Sequence, residues 1–408
     1  MIRQDAEKIW QEILHRIKPG NAVVRALEQI PLGGKLYVVA VGKAAWHMAK
    51  AAQNVLADRI ETGIVITKYH HVEGEIPGFT CYEAGHPVPD ENSFRATRAV
   101  LKLTEGLTEE DTVLLLLSGG GSALFEDPLV SAEQMQDVTE QLLSSGADIV
   151  EVNTIRKRLS RVKGGRFATH CAPAKVCVIV LSDVLGDRLD MIASGPAYPD
   201  SSTCREALSI VEKYGLQFSH SVLQHLQIET PKEITNAEHH IIGSVGQLCR
   251  VASKVCEDFG YRPVLLTDCL QGQARDAGRW LGRAAREQAQ KGEKVALIAG
   301  GETVVKVTGS GKGGRNQELA LSAAAEIAGC KNVVLFSLGS DGTDGPTEAA
   351  GGCVDGQTLE KLEEKDLSLP EILQNNDAYH GLLASGGLIV TGPTGTNIND
   401  ISIALISP

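Results

Sequence analysis

The stretch TVLLLLSGGGSALFEDP, residues 112–128, decides the fold class. Five apolar residues follow Thr112 without the alternation expected of a strand that turns one face to water. So short an apolar run fits a strand covered on both faces, as in a parallel sheet flanked by helices. It ends in Ser118-Gly119-Gly120-Gly121-Ser122. Three consecutive glycines after a central strand favour a concave nest of backbone N–H donors over a bare turn. The order is not G-x-G-x-x-G, which argues against a dinucleotide. It is not G-x-S-x-G either, which argues against a hydrolase elbow.

Similar runs occur on both sides, at residues 35–41, 63–67 and 175–181. Helical periodicities separate them at 44–57, 92–105, 132–143 and 149–159. Alternation of this kind predicts an α/β fold with a mostly parallel sheet. The pattern changes to short helices and a polar, Pro231-containing stretch around 201–240. Strands are then expected at 241–243, 262–266, 294–299, 304–307, 332–337 and 388–391, with long helices at 245–259 and 271–291. The expectation is two α/β domains, 1–235 and a smaller 236–408. The final strand, 400–406, is free to return to either.

The 408 residues carry a net charge of -12, which argues against a broad nucleic-acid surface. No run is long and apolar enough for a membrane span. Nine cysteines without a C-x-x-C pair read as buried thiols in a reducing cytoplasm, not as a zinc site.

The remaining motifs supply charge. In VGKAAWHMA, Lys43 follows Gly42 at a helix start, where an anion is favoured, although no Walker A spacing is present. NTIRKRLSRVKGGR concentrates cations, among them Arg158, Arg161 and Lys163, and serves equally as a solvated face or an anion site. SDVLGDRLD places Asp183, Asp187 and Asp190 at a strand end, suited to Mg²⁺, to a general base, or to turn capping. GGETVVKVTGSGKGGRNQELAL brings Gly301, Glu302, Gly313, Gly314 and Arg315. Its Lys312 reads as a solvated loop lysine, and Arg315 as the start of a helix. The loop GSDGTDG adds Asp341 and Asp344; TGPTGTNIND adds Thr394, Thr396 and Asn397. Anion loops with Lys, Arg and Asp, and without a Ser-His-Asp or thiol-His arrangement, suit phosphoryl transfer.

Together these motifs, with GHPVPDENS at 85–93, resemble the glycerate 2-kinase family, and the C-terminal part resembles the domain named MOFRL. The resemblance covers nearly the whole chain. It implies an N-terminal Rossmann-like three-layer domain, a MOFRL-like second domain and an active site in the cleft between them. It implies transfer of phosphate from ATP, with Mg²⁺, to the 2-hydroxyl of D-glycerate. By matching motifs, Lys43 and Arg315 are the expected essential cations. Asp187, ahead of Asp183, is the expected catalytic aspartate that orients or deprotonates the 2-hydroxyl. Residues 119–122 with Gly301, Glu302, Gly313, Gly314 and Asp341 are expected at the nucleotide. Arg158, Arg161 and Lys163 are expected at the glycerate carboxylate, and Asp183, Asp341 and Asp344 at the metal, with Glu302 as a further choice. Some family members carry the name hydroxypyruvate reductase, which would require NAD(P)H; neither glycine turn here has the order that cofactor needs. Partners are then small molecules, with neither nucleic acid nor membrane. The oligomeric state stays open, a homodimer included.

Overall fold

The 112–117 run lies within a strand, Asp111–Leu117, in which every residue is buried. A computed structural model describes residues 2–182, 188–396 and 398–408. The chain forms two units, Pro19–Ile242 and the combination of Met1–Lys18 with Gly243–Pro408.

The first unit carries strands β1 (Lys35–Val41), β2 (Ile60–Lys68), β3 (Phe79–Ala84), β4 (Asp111–Leu117), β5 (Lys175–Leu181) and β6 (Ala237–Gly243). Their order across the sheet is β3-β2-β1-β4-β5-β6. The ladders from β3 through β5 are parallel, with Val39 opposite Leu115 in the central pair. The chain winds outward from β1 to β3, then returns to place β4 on the other side of β1. That reversal point is where open α/β sheets bind ligands. Leu114, Leu115 and Leu116 are completely buried. Each contributes roughly 1.5–3 kcal/mol of burial, an upper figure because unfolded chains already hide some surface. Helices are started by side-chain caps: Asp90 with Ser93 opens Glu91–Leu103, and Asp148 with Glu151 opens Ile149–Arg158.

The second unit carries β7 (Arg262–Leu270), β8 (Val295–Gly301), β9 (Val333–Gly339), β10 (Gly351–Asp355), β11 (Leu388–Ile389) and β12 (Asp400–Ile406). Their order is β11-β10-β9-β12-β8-β7. β12 runs antiparallel to both β8 and β9, and β7 runs parallel to β8. The helix Ile2–Arg16 belongs to this unit. It buries Ala6, Ile9 and Ile13, sets Trp10 edge-on to Phe336 at 5.4 Å, and accepts a hydrogen bond at Asp5 from the Tyr261 hydroxyl at 2.9 Å.

One expected strand is absent, and two strands were not anticipated. Residues 304–307 make no strand: only Val304 forms a bridge, to Gln273, and Val304 and Val307 point outward. The following backbone instead donates to Asn376 from Thr308 and Gly309. β3 and β10 were not expected. β3 lies at a sheet edge with one buried residue, and β10 opens with two glycines, so neither has an apolar pattern to reveal it.

Candidate active site

The loops after β1 and β4 meet at the reversal point of the first sheet. Ser118 donates its N–H to the Val41 carbonyl at 2.9 Å, and Lys43 donates its own to the Gly119 carbonyl at 2.9 Å. Ala44 N–H donates to the Ser118 hydroxyl oxygen at 3.1 Å. Gly42 sits at φ +124°, where a Cβ would lie 2.2 Å from Ser118 Oγ. Only glycine allows this approach. The stem of Lys43 and the His86 imidazole both lie where a side chain on Gly120 would project, 3.4 and 3.0 Å from a Cβ built there. Burial, then the Lys43 charge, holds the His86 imidazole below its ordinary pKa.

Further along the same loop, the hydroxyls of Ser122 and Ser194 are 3.0 Å apart, and Ser194 donates to Asn153 Oδ1 at 3.0 Å. Ala193 and Ser194 both adopt left-handed backbone, at φ +49° and +60°. Strain of this kind in a buried pair is characteristic of functional sites. Arg156, one turn beyond Asn153 on the helix Ile149–Arg158, directs Nη2 at the Ser122 carbonyl, 3.5 Å away.

The other cations of that segment are placed differently. Lys163 is fully buried, 3.0 Å from Glu126 and donating to the Phe125 carbonyl at 2.7 Å; burial pushes its pKa down to about 8. Arg158 is also fully buried, with its guanidinium engaged by Ser202, the Thr154 carbonyl and Glu229. Arg161 is exposed and pairs with Asp127 at 3.1 Å. The structure therefore brings Lys43, Gly119, Gly120, Gly121 and Ser122 together. It adds Arg156, Asn153 and Ser194, and it sets Arg158 and Lys163 inside the protein. Asp183 and Asp187 lie outside the described residues.

In the second unit, Arg315 is the first residue of the helix Arg315–Ala323. Its Nε and Nη2 donate to Asp400 at 2.5 and 3.1 Å, and its Nη1 lies 3.0 Å from Glu302. Glu302 in turn accepts from Asn399 at 3.0 Å. Burial pushes the Asp400 carboxyl up to about 6, against the pull of Arg315. Burial also disfavours the Arg315 charge, but the Asp400 hydrogen bond and charge more than offset it, and the guanidinium is held above its ordinary value.

Asp344 accepts the backbone N–H groups of Asn316 and Gln317 at 3.1 and 2.8 Å, so both its oxygens are spent on the helix start. Gly314 is needed there: a Cβ would lie 2.3 Å from the Asp344 carboxyl carbon. Gly313 packs against Ala378, and Gly301 passes under Leu270 with φ +155°. Lys312 lies 3.3 Å from Glu348, over the Tyr379 ring. Asp341 is half-buried; its Oδ1 accepts from Thr343 N–H at 3.0 Å, and its second oxygen accepts no hydrogen bond among the described residues. Among the described residues, no group of three or more His, Cys, Asp or Glu converges as a metal cage.

Residues 5–227 match the family described as a domain of unknown function (DUF4147), and residues 295–400 match the MOFRL family. The D-glycerate 2-kinase of Thermotoga maritima is 52% identical over 99% of this chain and 98% of its own length. The chain belongs to the glycerate 2-kinase family. A glycerate 2-kinase from Pyrococcus horikoshii is 38% identical over 100% and 98% of the two chains. Likeness in structure follows: a crystal structure of Thermotoga maritima glycerate kinase superposes with a TM-score of 0.97, covering 99% of each chain at 52% identity. A Pyrococcus horikoshii structure gives 0.92, covering 100% and 98% at 38% identity. Hydroxypyruvate reductase is a provisional name on Agrobacterium vitis relatives at 36% identity.

Within this family frame, the residues not anticipated are Asp400, Asn399, Asn153, Ser194 and Arg156. Spacing could have given Arg156, since Asn153 and Arg156 stand one turn apart in NTIRKR. Asp400 and Asn399 carry no such signal, because the contact to Arg315 depends on sheet order.

Proposed function

We propose that this protein is an ATP-dependent D-glycerate 2-kinase that produces 2-phosphoglycerate and ADP. The observation that carries the proposal is identity of 52% with a D-glycerate 2-kinase across nearly the full length of both chains. Two features of the site support it. Lys43 flanks a glycine loop at the sheet reversal, and Arg315 presents a guanidinium at the end of another glycine loop. Phosphoryl transfer calls mainly for such positioned positive charge.

Lys43 and Arg315 are the two cations we assign to the transferring phosphoryl group. The N–H groups of residues 119–122 hold anionic oxygens, and Arg156 lies beside them as a candidate for the glycerate carboxylate. An aspartate after β5, Asp187 ahead of Asp183, orients or deprotonates the 2-hydroxyl. Bound with ATP, Mg²⁺ would neutralise phosphate charge. Asp341, with its uncommitted oxygen, is the described side chain that fits it, whereas Asp344 is already committed. Nine free cysteines suit the reducing cytoplasm, where we place the protein.

The test incubates the protein with D-glycerate, ATP and Mg²⁺ and reads the product with an enzyme specific for 2-phosphoglycerate over its 3-isomer. Hydroxypyruvate with NAD(P)H is run in parallel. Turnover in the second assay alone would replace the kinase reading with the reductase one.

A further inference from the structure

The Arg315 guanidinium has five N–H donors. Asp400 takes Nε and one donor of Nη2, whereas Glu302 lies 3.0 Å from Nη1 as a charge pair without an aligned hydrogen bond. One donor of Nη2 and both of Nη1 are left. The two acids differ in how they are held. Asp400 is the first residue of β12, and its side chain is 8% exposed, against 41% for Glu302. Both residues opposite Asp400 in the sheet are glycine: Gly301 on β8 and Gly339 on β9. A Cβ at Gly339 would lie 3.4 Å from Asp400 Oδ1. Backbone ladders on either side fix the position from which this carboxylate projects.

We propose that Asp400 is a positioning residue for phosphoryl transfer: it clamps one edge of Arg315 so that the remaining donors meet the transferring phosphoryl group. Glu302, on the outer side, is the contact that an incoming phosphate exchanges with. This inference rests on the role assigned to Arg315 above. A rigid strand makes a better platform for such a group than a loop, and a misplacement of about 1 Å can cost around 10²-fold in rate.

The experiment is a double-mutant cycle of Asp400→Asn and Arg315→Lys, with kcat and both KM values measured and folding checked by thermal unfolding. Asp400→Asn should lower kcat by about 10²-fold with both KM values within about 3-fold of the parent. In the Arg315→Lys background it should cost nothing further, since a residue that acts only through Arg315 has nothing left to position. Asp400→Glu keeps both charges and displaces the carboxylate by one methylene; it should lower kcat by about 10-fold with the same pattern. If Arg315→Lys alone keeps full kcat, the role of Arg315 fails and this inference falls with it. If Arg315→Lys loses kcat but the losses multiply in the double variant, or Asp400→Asn keeps full kcat, only this inference falls. Should Asp400→Asn not fold, Asp400→Glu decides, and an unchanged kcat there overturns it.

Discussion

Lys163 and Glu126 form an ion pair at 3.0 Å with both side chains fully withdrawn from solvent. Lys163 also donates to the Phe125 carbonyl, three residues beyond Ser122 in the chain, and Arg156 approaches the Glu126 carboxylate at 3.9 Å. Lys163→Met should destabilise the protein by about 3–5 kcal/mol, because the carboxylate loses its closest cation. Adding Glu126→Gln should recover much of that loss. Chemical denaturation of the parent, single and double variants reads both effects. A double variant less stable than Lys163→Met would contradict the pairing.

Removing either assigned cation should slow chemistry far more than it weakens binding. Arg315→Ala and Lys43→Met should each cut kcat by roughly 10³-fold or more, the scale of other phosphoryl-transfer cations. Steady-state kinetics with unfolding controls measures this. A variant that stays within a few-fold of the parent loses its assigned role.

Gly42→Ala should both strain the backbone and push Lys43 away from the glycine loop. The φ of +124° and the 2.2 Å approach to Ser118 Oγ leave no room for a methyl group. The backbone term alone is about 1–3 kcal/mol. The expected result is a lower thermal midpoint together with reduced kcat, whereas Gly74→Ala, whose Cβ would meet nothing within 4 Å, tests backbone strain without a clash and should leave kcat unchanged.

His86 provides a pH-dependent readout of the Lys43 position. Its folded pKa is depressed, first by burial and then by Lys43. The folded state therefore binds fewer protons than the unfolded chain, whose histidines titrate near ~6.5. Stability from this group is lost as pH falls below that range. Unfolding midpoints at pH 7 and pH 5 should differ less in His86→Gln than in the parent. An NMR titration should also show the His86 pKa rising in Lys43→Met; an unmoved value would place the ammonium elsewhere.

The sequence was most informative where burial is two-sided. β1, β4 and β5 announce themselves as unbroken apolar runs, and the glycine loops after β1 and β4 proved to be neighbours. Signals failed where function depends on long-range order. Asp400 is separated from Arg315 by 85 positions, and nothing local marks it. Val304 and Val307 misled for the opposite reason: their β-branched pattern is real, but no neighbouring strand pairs with it. Arg158 and Lys163 show a further limit. Six cations in eleven residues were open to reading as a solvated face or an anion site, yet Lys157, Arg158 and Lys163 are all buried beside carboxylates from other segments.

The strand made last in the second unit is the one at its centre. β7 and β8 can pair as soon as both exist, and so can β9, β10 and β11. Until residues 400–406 leave the ribosome, however, β8 and β9 each keep one open edge of unpaired backbone. Two half-sheets with exposed, strongly apolar edges invite pairing with other chains. The interval between synthesis of Gly339 and of Ile406 is therefore the window in which nascent chains of this protein are most exposed to aggregation and most dependent on chaperones.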